Sequence, residues 1–376
     1  MKIHTILFIA FLNISFNCFG QIKIVDSTTG DPIQSVSIII NNGILIGISD
    51  GDGKFNFTGI SNDNKLTDTT LICFTHISYE NYYCRLKDIY TKVNLNLVPK
   101  NNELATVVIN SKGINNDYLV FYGYYRSYAF NEKKIFGFAD GIIEYYIPLY
   151  GSEKIGKNYI ANRIYEKKEE KDIKQSGIYK AGIDVNPGIP FIDKKFILDQ
   201  IMIPYLKVKL DESKTMIYDK NKNEIGSINF DNKNNTNKIS IDLLKIDTNK
   251  DFKFLGIKVK YINQNITETY HNNNNNNNLI NNKEDLISYS SRYKSDYFFK
   301  NISIGDERIQ EFIVFEKRYI SKSEFKEIKN GNHFRYMSTS PSSFNVNFID
   351  ECFKKYNIPD IPSNIKSQFN NTLIKK

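Results

Sequence analysis

The chain has 376 residues, with 50 Lys and Arg against 42 Asp and Glu for a formal charge of +8; 41% of it is hydrophobic, and it holds 25 Tyr, 26 Phe and no Trp. That apolar and aromatic content excludes wholesale disorder and tilts propensity toward strand. Only seven of the basic residues are Arg, and the Lys are interspersed with acids, as in Arg163-Ile164-Tyr165-Glu166-Lys167, so the single-sign Arg patches of a nucleic-acid binder are missing.

Met1, Lys2 and His4 form a basic head, Ile6 to Phe16 an apolar run broken by Asn13 and Ser15, and Cys18-Phe19-Gly20 a small-x-small end. This pattern predicts a signal peptide over 1–20, cleaved before Gln21. Its apolar run is too short for a bilayer, which needs about 20 residues, and no later segment comes close. The expected mature chain is exported, without a transmembrane segment. Asn17 before Cys18 is not the small residue of a lipobox. At roughly 150 residues per domain, the remainder suggests two domains.

Strand alternation begins at once: Ile22 and Ile24, then Val36, Ile38 and Ile40, an Asn42-Gly43 hairpin turn, and Ile44, Ile46 and Ile48. After Asp50-Gly51-Asp52-Gly53 come Phe55 and Phe57, then Leu71 to Phe74, Tyr82 to Leu86 and Val93 to Leu97. Seven short strands with turns between them predict a β-sandwich over 21–99. Cys73 and Cys84 fall on successive strands, which leaves two readings open, a disulfide in an oxidising compartment or buried free thiols.

These residues carry a resemblance. Ile24-Val25-Asp26, Thr29-Gly30-Asp31-Pro32-Ile33, Val36-Ser37-Ile38, Gly47-Ile48-Ser49-Asp50, Gly53-Lys54-Phe55 and Tyr79-Glu80 resemble the carboxypeptidase-regulatory-like domain of Bacteroidetes envelope proteins. Ser49 stands for that family's Thr, and Ser78 for the Gly of its Gly-Tyr pair. The resemblance implies a prealbumin-like sandwich at the N-terminus of an exported protein and no peptidase activity.

A linker with one strand is expected over 100–117, then a β-rich domain over 118–332. Long amphipathic strands are predicted over Phe136 to Ile147, Asn158 to Lys167, Met216 to Ile228, Lys238 to Ile246, Phe254 to Tyr270 and Glu311 to Ser321. Together they suggest a larger antiparallel sheet or half-barrel. Helical spacing marks Lys194 to Met202 and, in a C-terminal extension over 333–376, Ile365 to Ile374. The Asn-rich tract 271–282 reads as an exposed loop. Around Tyr124-Tyr125-Arg126 and Asp140 to Pro148 the chain is similar to uncharacterised flavobacterial proteins. Its strand arrangement loosely resembles the lipoprotein-carrier half-barrel.

Catalytic patterns are sparse. A zinc peptidase needs His-x-x-Glu and a distant His, whereas His76 and Glu80 are four apart, and beyond the leader only His271 and His333 remain. A calcium loop opening at Asp50 needs an acid at position 12, which is Ser61. Neither a nucleophile elbow nor a phosphate loop is present. The ligand candidates are Arg126, Asp140 and Glu144, whose even acid spacing puts both carboxylates on one strand face; a salt-bridged cluster is the alternative. The block Tyr118, Phe121, Tyr122, Tyr124, Tyr125, Tyr128 and Phe130 reads as core packing or as a stacking platform. The expectation is a non-enzymatic envelope protein of the periplasm, outer membrane or cell surface, without a cofactor, that binds an envelope protein or a small ligand. A lipid or lipoprotein carrier and a carboxylate-dependent hydrolase are the alternatives.

Overall fold

A computed structural model describes residues 21–40, 44–57, 66–100, 116–131, 134–151, 154–167, 174–176, 179–181, 188–190, 206–210, 213–232, 234–246, 251–254, 256–272, 283–330, 346–356 and 373–375. The chain divides into two compact units, Met1–Pro99 and Lys100–Lys376.

The first unit holds β1 (Gln21–Asp26), β2 (Ser37–Ile40), β3 (Ile44–Ile48), β4 (Lys54–Asn56), β5 (Leu71–His76), β6 (Tyr79–Arg85), a short helix α1 (Leu86–Ile89) and β7 (Asn94–Leu97). One sheet runs β4-β1-β7, with β1 antiparallel to β4 and parallel to β7. The other runs β3-β2-β5-β6, antiparallel throughout. Ile22, Ile24, Phe55 and Leu95 of the first sheet and Ile38, Ile40, Ile72 and Phe74 of the second share one buried core, so the seven strands form a two-sheet sandwich.

The turn residues hold it in register. Asp26 accepts from the Thr28 and Thr29 amides at 2.7 and 3.1 Å and from the Tyr79 hydroxyl at 2.9 Å. Ser49 accepts from Val36 N and donates its hydroxyl to the Ile33 carbonyl. Asp50 caps its own turn through the Asp52 and Lys54 amides. At Gly53, φ is +72° and an added Cβ would lie 2.4 Å from the Ile24 carbonyl oxygen, so the turn requires Gly. Ser78 has no positive φ.

The disulfide that the sequence leaves open is not formed: Cys73 and Cys84 are not bridged. Cys84 stands opposite Ile72 and Cys73 opposite Tyr83. That one-residue offset sends the two side chains to opposite faces. Burial pushes the Cys84 thiol up to about 11.

The second unit contains β8 (Tyr118–Asn131), β9 (Lys134–Pro148), β10 (Gly156–Lys167), β11 (Lys174–Ser176), β12 (Tyr179–Ala181), β13 (Leu206–Lys209), β14 (Lys214–Tyr218), β15 (Glu224–Asp231), β16 (Thr236–Asp242), helix α2 (Leu243–Ile246), β17 (Asp251–Phe254) and β18 (Ile257–His271). A 3₁₀ turn (Lys283–Asp285), β19 (Leu286–Phe299), β20 (Ile302–Ile320), helices α3 (Lys322–Asn330) and α4 (Val346–Lys355), and β21 (Leu373–Lys375) complete it. Within this unit the strands line up as β13-β14-β15-β16-β18-β19-β20-β8-β9-β10-β21, antiparallel, with β17 beside the start of β18 and β11-β12 a separate pair. The molecule is mainly β, a sandwich followed by a large open antiparallel sheet.

One face of that sheet is apolar. Leu119, Phe121, Tyr125, Ile143, Tyr145, Ile239, Tyr289, Phe312 and Val314 belong to its buried core. Four expected strands have different limits, Glu311 to Ser321 being the second half of β20. Met216 to Ile228 is split by a turn in which Asp219 caps the Asn221 and Asn223 amides. Lys238 to Ile246 ends in α2, and Phe254 to Tyr270 is broken at Gly256, where φ is +80°. The Asn42-Gly43 turn, the leader, the linker over 101–115, the helix over 194–202, His333 and the Asn tract beyond 272 lie outside the described residues. Of the helix expected over 365–374, residues 373 and 374 are described, and they are strand.

Candidate functional site

Strand pairing puts the three sequence candidates on one face, opposite the apolar core. Arg126 of β8 stands directly across from Glu311 of β20 on one side and Asp140 of β9 on the other, and Asp140 stands across from Arg163 of β10. The row is therefore acid, base, acid, base over four strands. It continues from Glu311 through Ser290, Thr267, Ser240 and Ser227 to β15.

The charges pair side by side. Arg126 binds Glu311 through Nε, and each is about 2% exposed. Arg163 grips Asp140, which is wholly buried, at 2.8 Å from Nε and 2.5 Å from Nη2. The Tyr124 hydroxyl donates to the same carboxylate at 3.0 Å. Glu144 accepts from Arg318 at 2.7 Å, the Tyr146 hydroxyl at 2.5 Å and Asn158 at 3.1 Å. Burial works against the Arg126 and Arg163 charges, but Glu311 and Asp140 outweigh it and hold both guanidiniums above their ordinary range. Burial, reinforced by Asp140, holds the Tyr124 phenol well above its ordinary value.

Two helices cover this face. Phe325 of α3 stacks on Tyr118 with ring centres 4.3 Å apart. From α4, Phe353 lies 4.4 Å from the Arg163 guanidinium carbon and meets the Tyr124 ring edge-on. The β20–β8 register shifts between Val314 and Glu316, leaving Phe315 without a partner in the ladder. Phe315 stacks on Tyr356 at 4.2 Å, and the Tyr356 hydroxyl donates to Glu316 at 2.5 Å.

The arrangement is closed. Both oxygens of Asp140 and of Glu144 are taken by arginine and hydrogen-bond donors. The aromatic block divides by strand alternation, Phe121 and Tyr125 entering the apolar core and Tyr118 and Tyr124 meeting the helices, so these rings pack the interior. Among the described residues no three His, Cys, Asp or Glu side chains gather as metal ligands. Sequence reasoning missed Glu311, Arg163 and Arg318 as the counter-ions. The usable sign was an acid, Glu311, directly before the apolar run Phe312 to Phe315. Nearby, Lys238 stands between Asn229 and Thr269, and burial pulls its ammonium down to about 8.

No family profile matches the chain, and neither does any curated protein or solved structure.

Proposed function

We propose that this is a non-enzymatic exported protein of the bacterial envelope, a binding module with a regulatory-like sandwich in front of a large sheet. The observation that carries the reading is the closed ionic row together with the Glu144–Arg318 pair on the same face: Asp140, Glu144 and Glu311 are each consumed by an arginine. That is the pattern of a structural cluster, whereas a hydrolase keeps an acid and a base open to substrate. The motif around Asp26, Gly53 and Tyr79 supports the envelope assignment through its resemblance to the carboxypeptidase-regulatory-like domain.

Fractionation of a native host carrying a tagged chain tests it. The expected result is recovery in the envelope with an N-terminus at Gln21; a cytosolic chain that keeps Met1 overturns export. A hydrolytic activity on glycosides or peptides that Asp140→Asn abolishes, with the melting temperature unchanged, overturns the non-enzymatic half.

A further inference from the structure

The first unit carries a cavity of about 460 Å³ lined by the start of β1, by Lys54 and Phe57 at β4, and by the segment from Ile89 to Asn94 between α1 and β7. The volume lies within the range of small-molecule sites, roughly 300–1,000 Å³. Alternation along β1 explains the lining: Ile22 and Ile24 point into the sandwich, which leaves Gln21 and Lys23 on the outer face. Lys23 stands directly across from Lys54 of β4 and from Asn94 of β7. The row on this face is thus cation, cation, amide.

Two ammonium groups in directly opposed positions repel each other, with Cβ atoms about 4.5–5.5 Å apart. An acid nearby would relieve the repulsion, and among the described residues lining the cavity there is no Asp or Glu. A third cation, Lys92, reaches the rim from the turn after α1, held by the Tyr82 hydroxyl and lying 4.9 Å from the centre of that ring. The rest of the lining is largely apolar, with Phe57 and Ile89 buried at the base and Tyr90 and Val93 exposed at the mouth.

We propose that this cavity binds a small organic anion, its carboxylate, phosphate or sulfate group held between Lys23 and Lys54 and its apolar body against Phe57, Ile89 and Tyr90. The anion supplies a counter-charge to the opposed lysines, which give it charge-assisted hydrogen bonds from both sides. The inference goes beyond the reading above, which names no ligand, and its test is independent of where the protein resides.

Titration calorimetry of the purified protein with phenyl phosphate is the test, with benzyl alcohol and inorganic phosphate as partial probes. Phenyl phosphate binds saturably, inorganic phosphate more weakly for lack of the ring, and benzyl alcohol not at all. Lys23→Gln and Lys54→Gln each weaken phenyl phosphate by about tenfold or more, the loss of one charge-assisted hydrogen bond. Added salt weakens it too. Both variants keep or raise the ligand-free melting temperature, because each removes a repulsion. Val93→Glu, at a rim position 83% exposed, places an acid at the mouth without touching the sheet and also weakens binding. Absence of saturable binding to the unaltered protein, or an affinity that neither lysine change nor Val93→Glu reduces, overturns the proposal.

Discussion

Arg126 and Glu311 show what the closed row costs and returns. Taking a charge out of water is expensive by several kcal/mol, and a partner at hydrogen-bond distance recovers most of that only while both are present. Arg126→Met strands Glu311 in the interior and is expected to lower stability by about 3–5 kcal/mol. Arg126→Met with Glu311→Leu regains much of it. Urea unfolding of the four proteins in a double-mutant cycle checks this; a single-variant loss in the surface-pair range of about 0–1 kcal/mol would show the pair to be hydrated. Lys238 is the complementary case, a cation whose charged form burial disfavours. Its folded value, about 8, lies below the ordinary 10.5, so between these pH values the unfolded chain binds the extra proton and stability rises with pH. Lys238→Met is therefore expected to raise the melting temperature at neutral pH, the gain shrinking from about pH 8 and vanishing above about 10.5. Melting curves of both proteins over that range decide it, and a gain independent of pH would refute the assignment. The sequence candidates themselves, Arg126, Asp140 and Glu144, were legible because even spacing on a strand fixes a face. Their partners were not: Glu311 is 185 residues from Arg126, and no local pattern encodes the register that brings them together.

At the scale of elements, period-two alternation announced every strand of the sandwich and most of the large sheet. It did not mark where long strands stop, because the Asp219 turn and the α2 start at Asp242 are made by side chain to backbone hydrogen bonds rather than by a change of period. Strands β8 and β19 went unseen: in β8 aromatic and apolar residues fall on both faces, and in β19 only Tyr289 and Tyr293 interrupt the polar run Ser288 to Asp296. Helix α3 is short and charged, and Phe325 and Ile328 are its contribution to the packing against Tyr118 and Val120. The join between β9 and β10 depends on a close approach that the sequence marked only as a Gly. A Cβ on Gly141 would lie 2.1 Å from the Ala161 carbonyl oxygen, beside the register shift between Tyr159 and Ala161. Gly141→Ala must push β10 away and disturb the Asp140–Arg163 contact next to it. The expected loss is about 1–3 kcal/mol or more, the cost of overpacking a filled interior. Denaturant unfolding measures it, and a variant as stable as the parent would mean that the two strands are not so closely joined.

For the molecule as a whole, the absence of Trp and the 25 Tyr make tyrosine ionisation a direct report on the fold. Tyr124, Tyr125, Tyr145 and Tyr289 are wholly buried, and burial, the dominant cause in each, holds their phenols well above the ordinary value. Above about pH 10, where an unfolded Tyr loses its proton, the folded chain keeps these protons and the unfolded chain does not. Stability then falls as pH rises, opposite in sign to the Lys238 effect that precedes it. The four residues lie on β8, β9 and β19, three strands of one sheet; Tyr125, Tyr145 and Tyr289 sit in its apolar core, and Tyr124 on the other face is covered by Phe353 of α4, so their ionisation is tied to loss of that packing. The expected result is a cooperative alkaline transition in which the tyrosinate absorbance of the buried set appears together with the loss of strand circular dichroism. Absorbance and dichroism recorded on the same samples across the alkaline range make the comparison. If all the tyrosines ionised while the dichroism stayed constant, the core of the large sheet would have to be open to water, and the closed ionic row on its other face would lose the rigid support that its pairing requires.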